Sequence, residues 1–242
     1  MTFQTKRPFV LRKYASSWPA LNSHPCGPAR IVPVEVGADY RTDDWTQQFM
    51  GWDEFLQSLE SDDSKVVLYL AQHNLLRQFP ALNNDIIIPD YVYACPPPPE
   101  DYPQYKPPGN DEQLVINGWL GPRGTVSPAH TDPYFNLYVQ VVGHKTVWLA
   151  PPSVNESMYA FSPTTNPASN KTSPSMSNTS RVDVFTNGED HSARSQFPEF
   201  WSNVVPEAMS MTLEPGDMLF IPPGWWHAMR AEETSFSVSM WF

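Results

Sequence analysis

Cysteine is scarce in this protein, where Cys26 and Cys95 are the only two among 242 residues. Two cysteines do not provide a disulfide framework, so we expect reduced thiols and an intracellular protein, in the nucleus and/or the cytoplasm. Long apolar runs are also lacking, since no stretch approaches the about 18 consecutive apolar residues of a membrane span. The first residues carry no apolar segment, so we expect no signal peptide.

Basic residues are few, with 15 lysines and arginines against 26 aspartates and glutamates and a formal net charge of −11. An acidic surface repels nucleic acid backbones and attracts basic polypeptides. We therefore expect a basic peptide or protein as partner, with no nucleic acid and no membrane. Acidity that serves only solubility is the alternative. No feature of the sequence indicates the oligomeric state.

Proline is abundant, with 27 residues, and this argues against long helices and for strands joined by irregular loops. The apolar pattern predicts one longer helix over Trp45–Leu59 and a helical turn at Leu75–Pro80. Strands are predicted at Arg30–Gly37, Val66–Leu70, Leu114–Trp119, Asn136–Val142, Lys145–Ala150, Met209–Leu213, Met218–Ile221 and Phe236–Phe242. We expect a mainly β fold in one domain over residues 1–242, a double-stranded β-helix (cupin-like jelly roll) with a few flanking helices.

Two segments of biased composition interrupt this pattern. Residues 96–109 are rich in proline and predict an extended, solvated loop. Residues 162–180 are almost entirely Ser, Thr, Asn and Pro, a composition that buries too little apolar surface to offset the entropy of ordering. We expect the second segment to be a mobile insertion.

Three residues predict a metal site. His130 and Asp132 lie two positions apart in Ser127–Pro133, and on an extended segment such residues point to the same face. His227 follows a turn, an apolar strand and a second turn in Pro215–His227. A His-x-Asp triplet alone is weak, but with the later histidine it gives two imidazoles and one carboxylate. This is the donor set of a facial triad, which binds Fe(II) and leaves coordination positions open.

Lys145 shares the parity of Val147 and Leu149, so it is expected on an inward, apolar face. A buried lysine is costly unless an anion pairs with it. On the preceding strand Asn136 and Tyr138 share one polar face, which indicates a small polar cavity. The anion is either the carboxylate of a bound co-substrate or a carboxylate of the protein itself.

The stretch from Arg30 to Phe242 strongly resembles the JmjC-domain oxygenases that depend on Fe(II) and 2-oxoglutarate. Within that family it is most similar to a subgroup described both as peptidyl-arginine hydroxylases and as histone lysine demethylases. The matching pieces are Val32–Gly37, Tyr69–His73, Ile88–Tyr91, Asn117–Thr125, Ser127–Lys145 and Ser235–Phe242. The resemblance extends over most of the sequence, and the combination of motifs is specific.

The resemblance implies roles for ten residues and implies Fe(II), 2-oxoglutarate and O2 as cofactor and co-substrates. His130, Asp132 and His227 would bind iron and serve as the catalytic centre. Lys145 and Tyr69 would bind the distal carboxylate of 2-oxoglutarate, with Ser127 and Asn136 adding hydrogen bonds. Glu35, Trp45 and Trp119 match positions that line the pocket for the substrate residue, where a carboxylate between indoles suits a guanidinium.

The expected activity is hydroxylation of a C–H bond in an amino-acid residue, most specifically of arginine in a basic peptide or protein. Demethylation of histone methyl-lysine by the same site is the alternative, because oxidation of an N-methyl carbon ends in loss of that methyl group. A catalytically silent peptide-binding module and a zinc hydrolase are further alternatives.

The family usually has a helical segment between the Trp18-Pro19 motif and the strand at Arg30. Its absence here predicts a weaker N-terminal edge. The larger members also have an N-terminal helical domain that this sequence lacks, so no partner that binds through that domain is expected here.

Overall fold

The computed structural model describes residues 7–16, 18, 30–37, 39–42, 44–60, 66–162, 176–186 and 191–242. Within them the protein forms two antiparallel sheets, so the mainly β prediction is confirmed. None of the helices in these described ranges has the length and apolar character needed to cross a membrane.

The strands follow the sequence in numerical order. They are β1 (Phe9–Leu11), β2 (Ile31–Val36), β3 (Thr46–Gly51), β4 (Leu68–His73), β5 (Val115–Gly121), β6 (Val126–Thr131), β7 (Asn136–Val142), β8 (Lys145–Ala150), β9 (Met209–Leu213), β10 (Met218–Ile221), β11 (Trp226–Ala231) and β12 (Ser235–Trp241). The α-helices are short: α1 (Trp52–Leu59), α2 (Leu75–Gln78), α3 (Pro80–Asn83) and α4 (His191–Gln196). Single 3₁₀ segments cover Asp90–Tyr93 and Pro152–Met158, and Phe200–Val204 forms a π-helical turn.

The larger sheet has eight strands in the order β1-β10-β7-β12-β5-β4-β2-β3, and the smaller sheet has four in the order β6-β11-β8-β9. Residues from both sheets meet in one apolar cluster that includes Val147, Leu149, Leu219 and Met229. This shared cluster identifies the space between the sheets as the central core of a sandwich. The larger sheet has twice as many strands as the smaller one.

The outer faces of both sheets are also covered. On the larger sheet, Leu137, Val139 and Val141 face away from the central core and pack against the N-terminal segment and the loops around Val92. On the smaller sheet, residues such as Trp148 and Trp226 pack against the 3₁₀ segment, the π-helical turn and Val182. A fourth cluster joins α1 to β2 and β4 through Trp52, Phe55, Val32 and Leu70. The polar-in, apolar-out alternation expected for β7 therefore holds.

The helix predicted over Trp45–Leu59 is wrong in its first half. Thr46–Gly51 forms strand β3, which pairs antiparallel with β2, and α1 begins only at Trp52. Trp52 and Phe55 are buried as the helical stripe requires, but Phe49 is 81% exposed. Pairing with β2 overrides the local helical pattern in this segment, because the backbone N–H and C=O groups of β3 form their hydrogen bonds with β2.

Pro33 lies in β2, which has β3 on one side and β4 on the other. The pairing with β4 involves only Glu35 and Val36, so at Pro33 the strand has a single neighbour. A proline lacks the N–H that a second ladder would require, and this local edge accommodates it. The other predicted strands are found with ends displaced by a few residues, whereas β6 and β11 were not predicted as strands.

The remaining predicted segments are placed in part. Residues 96–109 carry no helix or strand and are largely exposed, apart from Tyr105 and Pro108. Of the Ser/Thr/Asn/Pro-rich segment 162–180, residues 163–175 lie outside the described residues, and 176–180 run beside β6. The stretch 19–29, where we expected the family's helical segment to be missing, also lies outside them.

Asp217 fastens the N-terminal strand to the turn between β9 and β10. One of its carboxylate oxygens accepts hydrogen bonds from the Arg12 guanidinium at 2.5 Å and the Glu214 N–H at 3.0 Å, and the other accepts from the Lys13 N–H at 3.0 Å. The carboxylate group is almost fully buried, since Asp217 is only 1% exposed. Burial raises the pKa of Asp217, but these donors outweigh burial and leave the pKa below its usual value.

We expect Asp217→Ala to lower the free energy of unfolding by about 2 to 4 kcal/mol, because two backbone N–H groups and the Arg12 guanidinium lose a buried, charged acceptor. A depressed pKa contributes stability that is present above the unfolded value of about 3.9 and is lost as the pH falls through the folded value. The difference from wild type, measured by urea denaturation, should therefore shrink below about pH 4. Asp111→Ala, which removes an exposed carboxylate, is the control. Equal stability of the two variants at pH 7 would contradict this role.

Candidate active site

The antiparallel pairing of β6 with β11 places His130 directly opposite His227. Their ring centroids are 4.3 Å apart. Asp132 lies one residue beyond β6, with its carboxylate oxygens 4.0 Å from Nε2 of His130 and 3.5 Å from Nε2 of His227. The three ligand atoms all lie within 4.8 Å of one another. The structure therefore brings the three residues predicted for a metal site to one point.

Hydrogen bonds fix which nitrogen each imidazole offers to that point. Nδ1 of His130 lies 2.8 Å from the Pro128 carbonyl, and Nδ1 of His227 lies 3.0 Å from the Trp225 carbonyl. A carbonyl only accepts, so both Nδ1 atoms carry a proton, and in the neutral ring Nε2 is the nitrogen that presents a lone pair. Such outer hydrogen bonds orient the histidine ligands of metal ions.

The protonation states also suit a cation. Burial, followed by the neighbouring His227, lowers the pKa of His130 to about 4, so the ring is neutral at pH 7. Burial raises the pKa of Asp132, but the adjacent imidazoles outweigh it and keep the carboxyl ionised. Two imidazoles and a carboxylate thus converge on one point, and a divalent metal ion is the group that such a donor set fits.

A polar pocket adjoins the three residues. It is small, with a cavity volume of ≈ 20 Å³, and is lined by Trp119, Ser127, His130, Asp132, Asn136, Tyr138, His227 and Met229. Oδ1 of Asn136 is buried without a hydrogen-bond partner among the described residues. Because buried polar atoms rarely stay unpaired, this oxygen indicates that a ligand or water belongs in the pocket.

Lys145 is buried beside this pocket, on the inward apolar face that its parity predicts, and is only 2% exposed. Its Nζ donates to the hydroxyl of Tyr138 at 2.9 Å and lies 5.7 Å from the ring centre of Tyr69. The Tyr69 hydroxyl is 3.4 Å from Oγ of Ser127. Two tyrosines, a serine and the lysine therefore surround one polar point inside the sandwich.

Lys145 has no carboxylate within 4.0 Å among the described residues. Burial lowers its pKa to about 7, and no neighbouring negative charge opposes that shift. The internal salt bridge considered from the sequence is therefore not found in the ranges that the structure describes. An uncompensated buried ammonium group is fit to receive an anionic ligand.

Glu35 and Trp45 form a second polar group at the far side of Tyr69. Glu35 is opposite Tyr69 in the β2–β4 pairing, and Nε1 of Trp45 donates to Glu35 at 3.2 Å. Burial raises the pKa of Glu35, although hydrogen bonds from Trp45 and Gln47 oppose this. Trp119 approaches Tyr69 from the other side, with ring centres 6.2 Å apart, and its Nε1 donates to Ser239.

Sequence reasoning missed some residues at this site. Tyr138 was predicted only as one member of a polar row, yet its hydroxyl is the partner of Lys145. Met229 lines the pocket two residues after His227, a parity that would have indicated it if β11 had been recognised. Thr179 pairs with His130 in an isolated β-bridge, and the Tyr40 hydroxyl lies 3.4 Å from Oγ1 of Thr179. No sequence pattern predicts those two contacts, since each joins segments distant in the sequence.

Comparison with known proteins supplies the family. The sequence profile described as "Cupin-like domain" matches residues 2–242. This protein belongs to the cupin-like domain family. Both the mainly β jelly-roll prediction and the family assignment agree with this match.

Named relatives of this cupin-like protein carry the JmjC designation or a demethylase name. It is 36% identical over 252 residues to "Jumonji C domain-containing protein 5" of Drosophila melanogaster, covering 99% of its own sequence and 55% of that protein. Over 98% and 97% of its length it is 35% identical to "Lysine-specific demethylase 8" of Xenopus tropicalis and 34% identical to "Lysine-specific demethylase JMJ30" of Arabidopsis thaliana. These matches cover 48% and 49% of those proteins, so the sequence spans about half the length of such relatives. The predicted resemblance to JmjC proteins is confirmed.

The burial of Lys145 in the cupin-like fold has a measurable cost. Its folded pKa of about 7 lies below the unfolded value of about 10.4. Between these values the unfolded protein binds more protons, so the stability of the metal-free protein falls as the pH drops from 10 towards 7. We expect Lys145→Met to raise the free energy of unfolding at pH 7 by about 1 to 4 kcal/mol and to flatten this pH dependence.

Urea denaturation of the ligand-free proteins at pH 7, 8 and 9 measures both effects. Lys106→Met, which changes an exposed lysine, is the matched control and should behave as wild type. If Lys145→Met were no more stable than Lys106→Met at pH 7, the buried ammonium would not be the uncompensated charge described above.

Proposed function

We propose that this cupin-like protein is an Fe(II)- and 2-oxoglutarate-dependent oxygenase that hydroxylates a C–H bond of an arginine residue in a basic polypeptide. The observation that carries the proposal is the position of His130, Asp132 and His227 beside a buried lysine that has no described anionic partner. The first feature fits a divalent metal ion, and the second fits a carboxylate co-substrate. Each would be unfavourable in the protein core without its ligand.

The residues present fit the groups that the family implies. His130, Asp132 and His227 would hold iron through the two Nε2 atoms and the carboxylate. Lys145, with Tyr69, would hold the distal carboxylate of 2-oxoglutarate, and Ser127 and the unpaired Oδ1 of Asn136 lie where further polar contacts are needed. Bound iron, with 2-oxoglutarate and O2, would supply the oxidising power that amino-acid residues lack.

The protein itself contributes orientation and exclusion of water. The carbonyls of Pro128 and Trp225 keep the two imidazoles in the tautomer that offers Nε2. The Tyr138 hydroxyl holds the Lys145 ammonium group in place. Burial disfavours the charged form of the lysine, and an arriving carboxylate would favour it again because its negative charge raises the pKa of the ammonium group.

Glu35 favours arginine as the target residue. Its partly buried carboxylate accepts a hydrogen bond from the neutral indole of Trp45 and has no cation within 4.0 Å among the described residues. A guanidinium would supply two parallel N–H donors to a carboxylate and a flat face for the indole of Trp45. A substrate cation would therefore relieve the cost of burying Glu35.

Demethylation of methyl-lysine is the second candidate, favoured by the names of relatives at about one-third identity, such as "Lysine-specific demethylase 8". A methylammonium group would be bound by Trp45 and Trp119 through cation–π contact, leaving the carboxylate of Glu35 with fewer donors. A silent peptide-binding module would have no use for either the converging metal ligands or the buried lysine.

The test is intact-mass spectrometry of arginine and methyl-lysine peptides incubated with the protein, Fe(II), ascorbate and 2-oxoglutarate. We expect an arginine peptide to gain the mass of one oxygen atom and Asp132→Ala to abolish this gain, because the metal loses its only carboxylate ligand. Loss of a methyl group from a lysine peptide would support the demethylase instead. No change in any peptide, with wild-type protein shown to bind iron, would contradict both activities.

Glu35→Gln tests the arginine pocket separately. The amide keeps the shape of the residue but leaves a bound guanidinium without its counter-charge. We expect kcat/KM for an arginine peptide to fall by at least about 30-fold, or about 2 kcal/mol, while 2-oxoglutarate binding is retained. Glu60→Gln, which changes an exposed carboxylate after α1, is the control. An unchanged kcat/KM in Glu35→Gln would remove Glu35 from the substrate pocket.

A further inference from the structure

The larger sheet carries an exposed apolar surface next to Glu35. Ile31 is 63% exposed and Phe49 is 81% exposed, and both belong to paired strands rather than to loops. Pro33 is opposite Phe49 and is partly exposed. We call these three residues the β2–β3 platform. They expose large apolar groups to water, whereas the opposite face of the same two strands is packed against α1.

The strand register shows which face the platform occupies. Ile31, Pro33 and Glu35 alternate with Val32 and Val34, which pack against α1 on the opposite face. Glu35 is opposite Tyr69, which points to the polar pocket between the sheets. The platform therefore lies on the same face of the sheet as the proposed substrate pocket.

The two sheets differ in width, and this accounts for the exposure. The four-stranded sheet ends at β6, whereas the eight-stranded sheet continues through β4 and β2 to β3. Among the described residues no strand pairs with the outer edge of β3. The outer part of the inward-pointing face therefore lacks the covering layer that buries the rest of it.

We propose that the β2–β3 platform binds an apolar residue of the substrate polypeptide, two or four positions from the residue that enters the Glu35 pocket. This rests on the proposed function, whose substrate it narrows to a basic segment with a correctly spaced apolar residue. Along an extended strand, positions two and four residues from Glu35 lie about 7 and 13 Å away. An extended substrate has the same repeat, so its even-numbered neighbours return to the same face.

The charges around the platform favour a basic polypeptide over other occupants. Neither β2 nor β3 contains a lysine or arginine, and Glu35 lies on the platform's own face. Asp44 precedes β3, and Asp53 and Glu54 follow it in the exposed first turn of α1. Arg30, whose carbonyl accepts from the Trp52 N–H at 2.7 Å, adds one positive charge at the end where Asp53 and Glu54 lie. A basic segment lying along β3 would still meet a net negative charge at both ends and an apolar surface between them.

Fluorescence anisotropy with labelled twelve-residue Gly/Ser peptides tests the platform without requiring turnover. Each peptide carries one arginine and one leucine, with the leucine two, three or four residues to either side. We expect the protein to bind peptides with a two- or four-residue spacing about five- to tenfold more tightly than those with a three-residue spacing. Phe49→Thr should remove this preference and Ile87→Thr, which changes an exposed isoleucine outside the sheets, should keep it.

The outcomes separate the platform from the chemistry. A spacing preference with no oxidation of any peptide would support the platform and contradict the proposed function. Oxidation without a spacing preference would contradict the peptide-binding role of the platform and leave the proposed function intact. A spacing preference that survives Phe49→Thr, or a failure of all peptides to bind, would likewise contradict the role of the platform alone. Two further outcomes would show that the protein itself covers this surface, and either would contradict the proposed role of the platform. One is a dimer in light scattering that Phe49→Thr dissociates. The other is a fall in melting temperature with Phe49→Thr and not with Ile87→Thr.

Discussion

The register between β6 and β11 sets His130 opposite His227, and the rest of the site depends on this single pairing. Successive residues alternate between the two faces of a strand, so a slip of one residue would send one imidazole to the opposite face. The register is held on the other side of β11 by β8, whose six residues pair without interruption. An irregularity between His227 and Met229 lies beside the site, as such bulges often do near functional residues.

Burial of polar groups between the sheets has a cost that the surrounding apolar clusters offset. Lys145, the carboxylate of Glu35 and Oδ1 of Asn136 are each buried more deeply than their described partners justify. A folded protein tolerates such groups only when packing elsewhere provides a surplus of stability. The same groups are poised to bind an anion, a guanidinium and a hydrogen-bond donor, because each ligand would remove a penalty already present in the fold.

The sequence allowed the chemistry-bearing residues to be predicted where a short-range rule applies. His130 and Asp132 were found from a spacing of two, and the inward direction of Lys145 from its parity with Val147 and Leu149. The same reasoning failed for Thr46–Gly51, where apolar residues happen to repeat at a helical interval but pair with β2. Contacts such as that of Thr179 with His130 join segments far apart in the sequence, and no local pattern encodes them.

Backbone hydrogen bonds hold Thr179 and Ser180 immediately beside the metal ligands. The Phe161 N–H donates to the Thr179 carbonyl at 3.0 Å, and the Ser180 N–H donates to the Ala129 carbonyl of β6 at 2.8 Å. The strand that carries His130 is therefore flanked by Thr179 on one side and by β11 on the other. A substitution at Thr179 or Ser180 would consequently disturb the geometry of the three converging side chains although neither residue is a predicted metal ligand.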